Sequence, residues 1–104
     1  MSDGFSFFDS ENIPWRASTV APGVEVKDLG SVNGRSMQLV RCAPGAKFPQ
    51  HVHAGPEFVF MLQGDAIQAG QNLGPGWASA AATDTVDEAF HSPQGCMFLT
   101  VYSD

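Results

Sequence analysis

His51, His53 and Glu57 stand close together in the chain, and their residue types and spacing suit metal chemistry. In an extended segment, residues two apart share a face, so His51 and His53 point the same way about 7 Å apart along the strand. The Gly55-Pro56 pair then breaks the strand, and the turn it favours returns the chain with Glu57 at the head of the next run. Two imidazole nitrogens and a carboxylate oxygen converging from neighbouring strands form a donor set for a divalent metal ion. Glu57 opens an otherwise apolar run, where an isolated carboxylate is costly to bury and needs a partner. The chain has only three histidines, and two of them are in this cluster. The bland alternative is a pair of loop histidines beside a solvated carboxylate.

The elements that must position these residues read as strands. Short runs rich in Val, Phe, Leu and Met are bounded by Gly and Pro at close spacing, the rhythm of antiparallel β structure. The pattern predicts strands at Val24–Asp28, Met37–Ala43, Lys47–His53, Glu57–Gln63, Ala66–Ala69, Trp77–Ala82, Val86–His91 and Met97–Tyr102. Turns are expected at Asn33-Gly34, Pro44-Gly45, Gly55-Pro56, Gly64-Asp65, Gly74-Pro75-Gly76 and Pro93-Gln94-Gly95. Ala78–Ala82 carries helix formers but is too short and follows Pro75-Gly76. Eight or so short strands imply an all-β jelly-roll barrel or sandwich. In Glu57–Gln63, Phe58, Phe60 and Leu62 share one face, and Glu57, Val59 and Met61 the other, so the strand reads as buried on both sides. Phe58, Phe60, Met61, Met97, Phe98, Val101 and Tyr102 are the expected core. Trp15 and Trp77 read as packing or dimer-interface residues.

Composition narrows the function classes. A length of 104 residues suits one domain, 1–104, with residues 1–20 as an N-terminal arm available for dimer contacts. Charged residues make up 15% of the chain, below the usual quarter, which favours burying surface against a second copy as a homodimer. A net charge of −6 with five Lys and Arg argues against nucleic acid, and no basic cluster suggests a membrane partner. Met1–Ser10 lacks the basic and apolar regions of a signal peptide, and no apolar run is long enough to span a bilayer. Cys42 and Cys96 are the only cysteines and do not form a CxxC pair. They read as two buried reduced thiols in a cytoplasmic protein.

Gly45, His51, His53, Glu57 and Gly64 together resemble the first motif of the cupin superfamily: Gly, five residues, His-x-His, three or four residues, Glu, six residues, Gly. The resemblance implies a jelly-roll barrel with His51, His53 and Glu57 as three metal ligands inside it. The second cupin motif is a Gly, five residues, Pro-x-Gly, two residues, His, three residues, Asn, and this chain departs from it. Gly76 fits its first Gly, whereas Ala82 and Asp84 replace the Pro and second Gly. Asp87 falls where the family's fourth ligand, a histidine, belongs, and His91 falls where the Asn belongs. Gly95-Cys96-Met97-Phe98-Leu99 looks like the family's closing strand. Ile13-Pro14-Trp15-Arg16 and Pro22-Gly23-Val24-Glu25-Val26-Lys27 are similar to a subgroup of diketone and hydroxyacetophenone dioxygenases, to which the cupin domains of anti-sigma factors are related.

At the fourth position, Asp87 can ligate the metal directly or hold a metal-bound water. His91 can ligate if the strand bulges, or line the pocket as an acid–base group. Against both stands the reading of Asp87 and Glu88 as solvent-facing carboxylates and His91 as a surface histidine. With Asp87 included, the oxygen-rich set favours iron or manganese; without it, two histidines and one carboxylate suit Fe(II) with open positions. Fe(II) is the favoured ion, with Mn, Zn or Ni as the other candidates. The resemblance then implies a metal-dependent enzyme, a non-haem Fe(II) dioxygenase of a small oxygenated organic molecule. A non-redox cupin isomerase or lyase is the neighbouring alternative. A non-catalytic metal- or ligand-binding sensor or interaction module belongs to a different class, and the eroded second motif supports it.

Overall fold

Turn chemistry sets the first hairpin. In the computed structural model, which describes residues 4–87 and 90–104, β2 (Val24–Val32) and β3 (Arg35–Cys42) pair in antiparallel fashion. Asn33 and Gly34 connect them with φ of 52° and 79°. Both values are positive, as a two-residue type I′ turn requires, and only residues such as Asn and Gly adopt them at low cost.

Two facing sheets and one short ladder form an all-β jelly roll. The larger sheet runs in the order β1 (Arg16–Ala17), β2, β3, β12 (Cys96–Ser103), β6 (Glu57–Gly64) and β9 (Ala78–Ala81). The smaller sheet runs β4 (Ala46–Lys47), β11 (His91–Ser92), β7 (Ala66–Gln68) and β8 (Gln71–Leu73). The short ladder joins β5 (His51–Val52) to β10 (Val86–Asp87). Before the sheets lies a 3-10 turn at Ser10–Asn12, capped by the Asp9 side chain, which accepts from the Glu11 N–H. Among the described residues, no helix is long and apolar enough to cross a membrane.

The core forms where the inner faces meet. Val24, Val26, Val40, Cys42, Val59, Met61 and Phe98 from the larger sheet pack with Ala46, Ala66, Leu73 and Phe90. Phe90 sits 5.1 Å from Phe98 and 5.4 Å from Phe48 between ring centroids, so three aromatic rings close the middle of the roll. Cys42 and Cys96 are buried free thiols, as the sequence indicates.

Several boundaries differ from the sequence expectation. Lys47–His53 is not one strand: it divides into β4 and β5, which join different ladders. Pro49 has no N–H to donate, while the neighbouring Phe48 N–H turns to the Phe90 carbonyl at 3.0 Å. Val86–His91 divides likewise into β10 and β11. Two strands that the pattern missed, β1 and β8, are short and owe their extended form to pairing with β2 and β7.

The β6 expectation needs a larger correction. Met61 is fully buried and Val59 nearly so, but Phe58 and Phe60 are 48% and 45% exposed and Leu62 is also exposed. Only one face of β6 meets the core. The other is the outer face of the larger sheet, so Phe58 and Phe60 leave the core list. Met97, Val101 and Tyr102 are half-buried rather than core. Trp15 packs under two cations, Lys27 Nζ at 4.8 Å and the Arg41 guanidinium at 4.2 Å from its ring centroid. Trp77 is half exposed.

Candidate functional site

His53 follows β5, and its backbone continues the ladder. Its N–H donates to the Thr85 carbonyl at 3.0 Å, and its carbonyl accepts from the Asp84 N–H at 2.9 Å. Four residues later Glu57 opens β6, where it is the register partner of Ala81. Gly55 makes the intervening bend possible by close approach: a Cβ there would collide with the Ser103 hydroxyl at the end of β12.

The bend brings the two side chains together. His53 Nε2 lies 3.2 Å from Glu57 Oε2, with the imidazole 4% and the carboxylate 22% exposed. Two donors bound at right angles to one ion, each about 2.1 Å from it, are themselves about 3 Å apart. The 3.2 Å contact is that of an ion pair, and it is also close enough for both atoms to share one ion; among the described residues no group of three or more His, Cys, Asp or Glu gathers there.

His51 and Asp87 are register partners across the β5–β10 ladder. Directly opposed positions in an antiparallel pair are nearest neighbours across the strands. The backbone thus brings the third proposed ligand and the fourth-position residue to one place, two residues from His53. Their side chains, and Glu88 altogether, lie outside the described residues. His91 takes a different place. It is half-buried on β11 in the smaller sheet, opposite Lys47 and Ile67, and joins a different ladder from Asp87. The single strand expected over Val86–His91 therefore does not form.

His53 and Glu57 line a half-open cavity of about 590 Å³, within the usual range for small-molecule sites. Its apolar wall includes Val26, Val40, Phe48, Val59, Phe90 and Phe98, and its polar lining includes Gln38, Gln68, Thr100 and Tyr102. Arg16 also lines it and is held by Asp28, at 2.8 Å between Nη2 and Oδ2. Gln38 donates to the same carboxylate at 2.8 Å. The Gln38 hydrogen bond, helped by Arg16 and opposed by partial burial, keeps the Asp28 carboxyl below its ordinary range. A second cavity of about 360 Å³ shares His53 and Gln68 with the first, and the Ser79 hydroxyl donates to the Gln68 side-chain oxygen at 2.7 Å.

Sequence reasoning missed Arg16, Gln38, Gln68 and Thr100. A signal for two of them was present. Gln38 and Thr100 lie two positions from the buried Val40 and Phe98 on the same strands, so strand periodicity directs them inward. Arg16 gave none, since a two-residue strand has no period to read.

The sequence profile of the ChrR cupin-like domain matches residues 4–103. No curated protein sequence matches significantly. Among solved structures, the acetylacetone dioxygenase from Acinetobacter johnsonii is similar with a TM-score of 0.82 at 15% identity, over 99% of this chain and 75% of its own. The polyketide cyclase RemF from Streptomyces resistomycificus is similar with a TM-score of 0.83 at 16% identity, over 95% and 79%. A structure of Rhodobacter sphaeroides SigE in complex with the anti-sigma ChrR gives 0.77 at 22% identity, over 91% of this chain and 51% of the matched one. At these identities the likeness carries the fold alone.

Proposed function

The chain belongs to the ChrR cupin-like domain family, and on that premise we propose that it is a metal-dependent enzyme, a non-haem Fe(II) dioxygenase acting on a small oxygenated organic molecule. The proposed ligands are His51, His53 and Glu57, with Asp87 in the fourth position. The observation that carries this reading is the 3.2 Å approach of His53 Nε2 to Glu57 Oε2 on the wall of a half-open cavity. When bound, an Fe(II) ion in such a set supplies Lewis-acid and redox activation of a chelating substrate and oxygen.

The chain's own residues supply the setting. The Thr85 carbonyl fixes the backbone at His53 through its hydrogen bond, and the Glu57 carboxylate lies against the imidazole. Phe48, Phe90 and Phe98 keep one side of the cavity dry, which strengthens polar interactions within it. Gln68 and Thr100 offer hydrogen-bonding groups to a substrate's oxygens, and Arg16 brings a cation to the exposed end of the lining. The two reduced thiols suit a cytoplasmic setting.

An oxygen electrode tests the reading. Protein loaded anaerobically with Fe(II) should consume oxygen with at least one member of a panel of 1,3-diketones and hydroxyketones, and lose that activity on chelation. Full iron occupancy with no uptake across the panel would remove the dioxygenase reading and leave the non-catalytic binding module, which the departure from the second motif favours.

The outer face of the larger sheet supports the homodimer expectation. Phe60, Leu99 and Leu39 form one row across β6, β12 and β3, and Phe58, Val101 and Met37 form the next. Such a contiguous apolar surface is rarely left to water, and a second copy offers the same surface in return. Phe5 and Phe7 in the N-terminal arm are also exposed and stack on each other. Phe60→Asp should convert a dimer to a monomer in sedimentation equilibrium while leaving the circular dichroism spectrum unchanged. A wild-type chain that sediments as a monomer at all concentrations would contradict this role for the face.

A further inference from the structure

We propose that Cys42 and Cys96 form a modification site, a cross-strand dithiol that a peroxide converts to an internal disulfide and a small thiol reductant restores. The two residues are direct register partners on β3 and β12, at the centre of the larger sheet. Opposed positions in an antiparallel pair have Cα atoms about 4.5–5.5 Å apart, inside the range of about 4.4–6.8 Å that disulfides use. Both side chains are on the core face, 5% and 7% exposed, so the thiols lie on the same side of the sheet. The interaction of the paired thiols lowers the Cys96 thiol against the opposing effect of burial, and the same interaction together with burial pushes Cys42 up. One sulfur is thus prepared as the nucleophile and the other as the resolving thiol. Neither residue lines the 590 Å³ cavity, so the inference stands apart from the metal reading.

The chemistry balances with hydrogen peroxide as oxidant. The Cys96 thiolate attacks one peroxide oxygen, the O–O bond breaks, and the departing hydroxide leaves as water after taking up a proton. Cys96 is then a sulfenic acid. The Cys42 sulfur attacks it, the S–S bond forms, the S–O bond breaks, and the leaving hydroxide takes the Cys42 proton to give a second water. Two thiols are oxidised by two electrons and one peroxide is reduced to two waters. The new bond would fasten the end of β3 to the start of β12. It would close a loop over residues 43–95, which holds all the proposed metal ligands.

The test uses the full chain, reduced, desalted and exposed to a small excess of hydrogen peroxide. The expected result is loss of both thiols in a denatured thiol count and a fall in intact mass of about 2 Da. On a non-reducing gel the chain stays at its monomer position, and dithiothreitol reverses the change. In Cys42→Ser, or in Cys42→Ala if the serine variant does not fold, Cys96 should be trapped by dimedone as a sulfenic acid. Persistence of both thiols in the wild type overturns the proposal. So do disulfide-linked dimers, or oxidation of Cys96 to the sulfinic acid with Cys42 still reduced.

Discussion

Replacing His53 with alanine should leave a folded protein that no longer retains a metal ion. Reconstituted wild type should carry close to one Fe(II) per chain, and His53→Ala less than about a tenth of that. Loss of a directly bound ligand should exceed the roughly 10–100-fold cost of disturbing a supporting one. The imidazole is almost fully buried and lies 3.2 Å from Glu57 Oε2, so its removal also takes a partner from a half-buried carboxylate. That loss is worth about 1–3 kcal/mol, within what a domain of this size survives. His91→Ala is the matched control. His91 lies in the smaller sheet, opposite Lys47 and Ile67, and its removal should leave metal content unchanged. Metal analysis after exhaustive desalting reads both variants. Equal loss in the two would contradict the placement of His91 outside the site.

Gly64→Ala should produce the largest loss of stability from a single added methyl group. Gly64 ends β6 with φ of +71°, a conformation that an L side chain adopts only at a cost of about 1 kcal/mol or more. A Cβ there would collide with the Gly95 carbonyl oxygen and lie 2.8 Å from Cys96 Cα. Those atoms are backbone and cannot rotate away. The β6–β12 ladder would have to open at its end, where a bulge between Met97 and Phe98 already shifts the register. Strain and lost pairing together should cost roughly 3 kcal/mol or more, and lower the thermal midpoint by about 10–20 °C. Urea unfolding measures it, and a midpoint equal to wild type would contradict the close approach of these strands.

The jelly-roll fold and the approach of His53 to Glu57 were legible in the sequence, and for the second the reasons are local. His51, His53, Glu57 and the Gly55-Pro56 bend lie within one short stretch, where strand periodicity and turn chemistry suffice to bring His53 and Glu57 together. The division of Lys47–His53 was not legible, because its apolar pattern reads the same on either side of Pro49, and the break depends on Phe48 bonding to a carbonyl far along the chain. The two faces of β6 are equally apolar in sequence. Which one meets the core was decided by the position of β6 between β12 and β9, a matter of topology rather than composition. Arg16 and Gln38 reach the cavity through long-range pairing of β1 with β2 and β3 with β12. His91 was misplaced because residues 86–91 were read as one strand, whereas Val86–Asp87 and His91–Ser92 serve different ladders.

Anomalous diffraction from crystals loaded anaerobically with Fe(II), measured across the iron edge, tests the central claim most directly. The account predicts one peak within bonding distance of His53 Nε2 and a Glu57 oxygen, with His51 and Asp87 completing the set. A peak bound elsewhere, or none while the His53 and Glu57 side chains remain in contact, would contradict it.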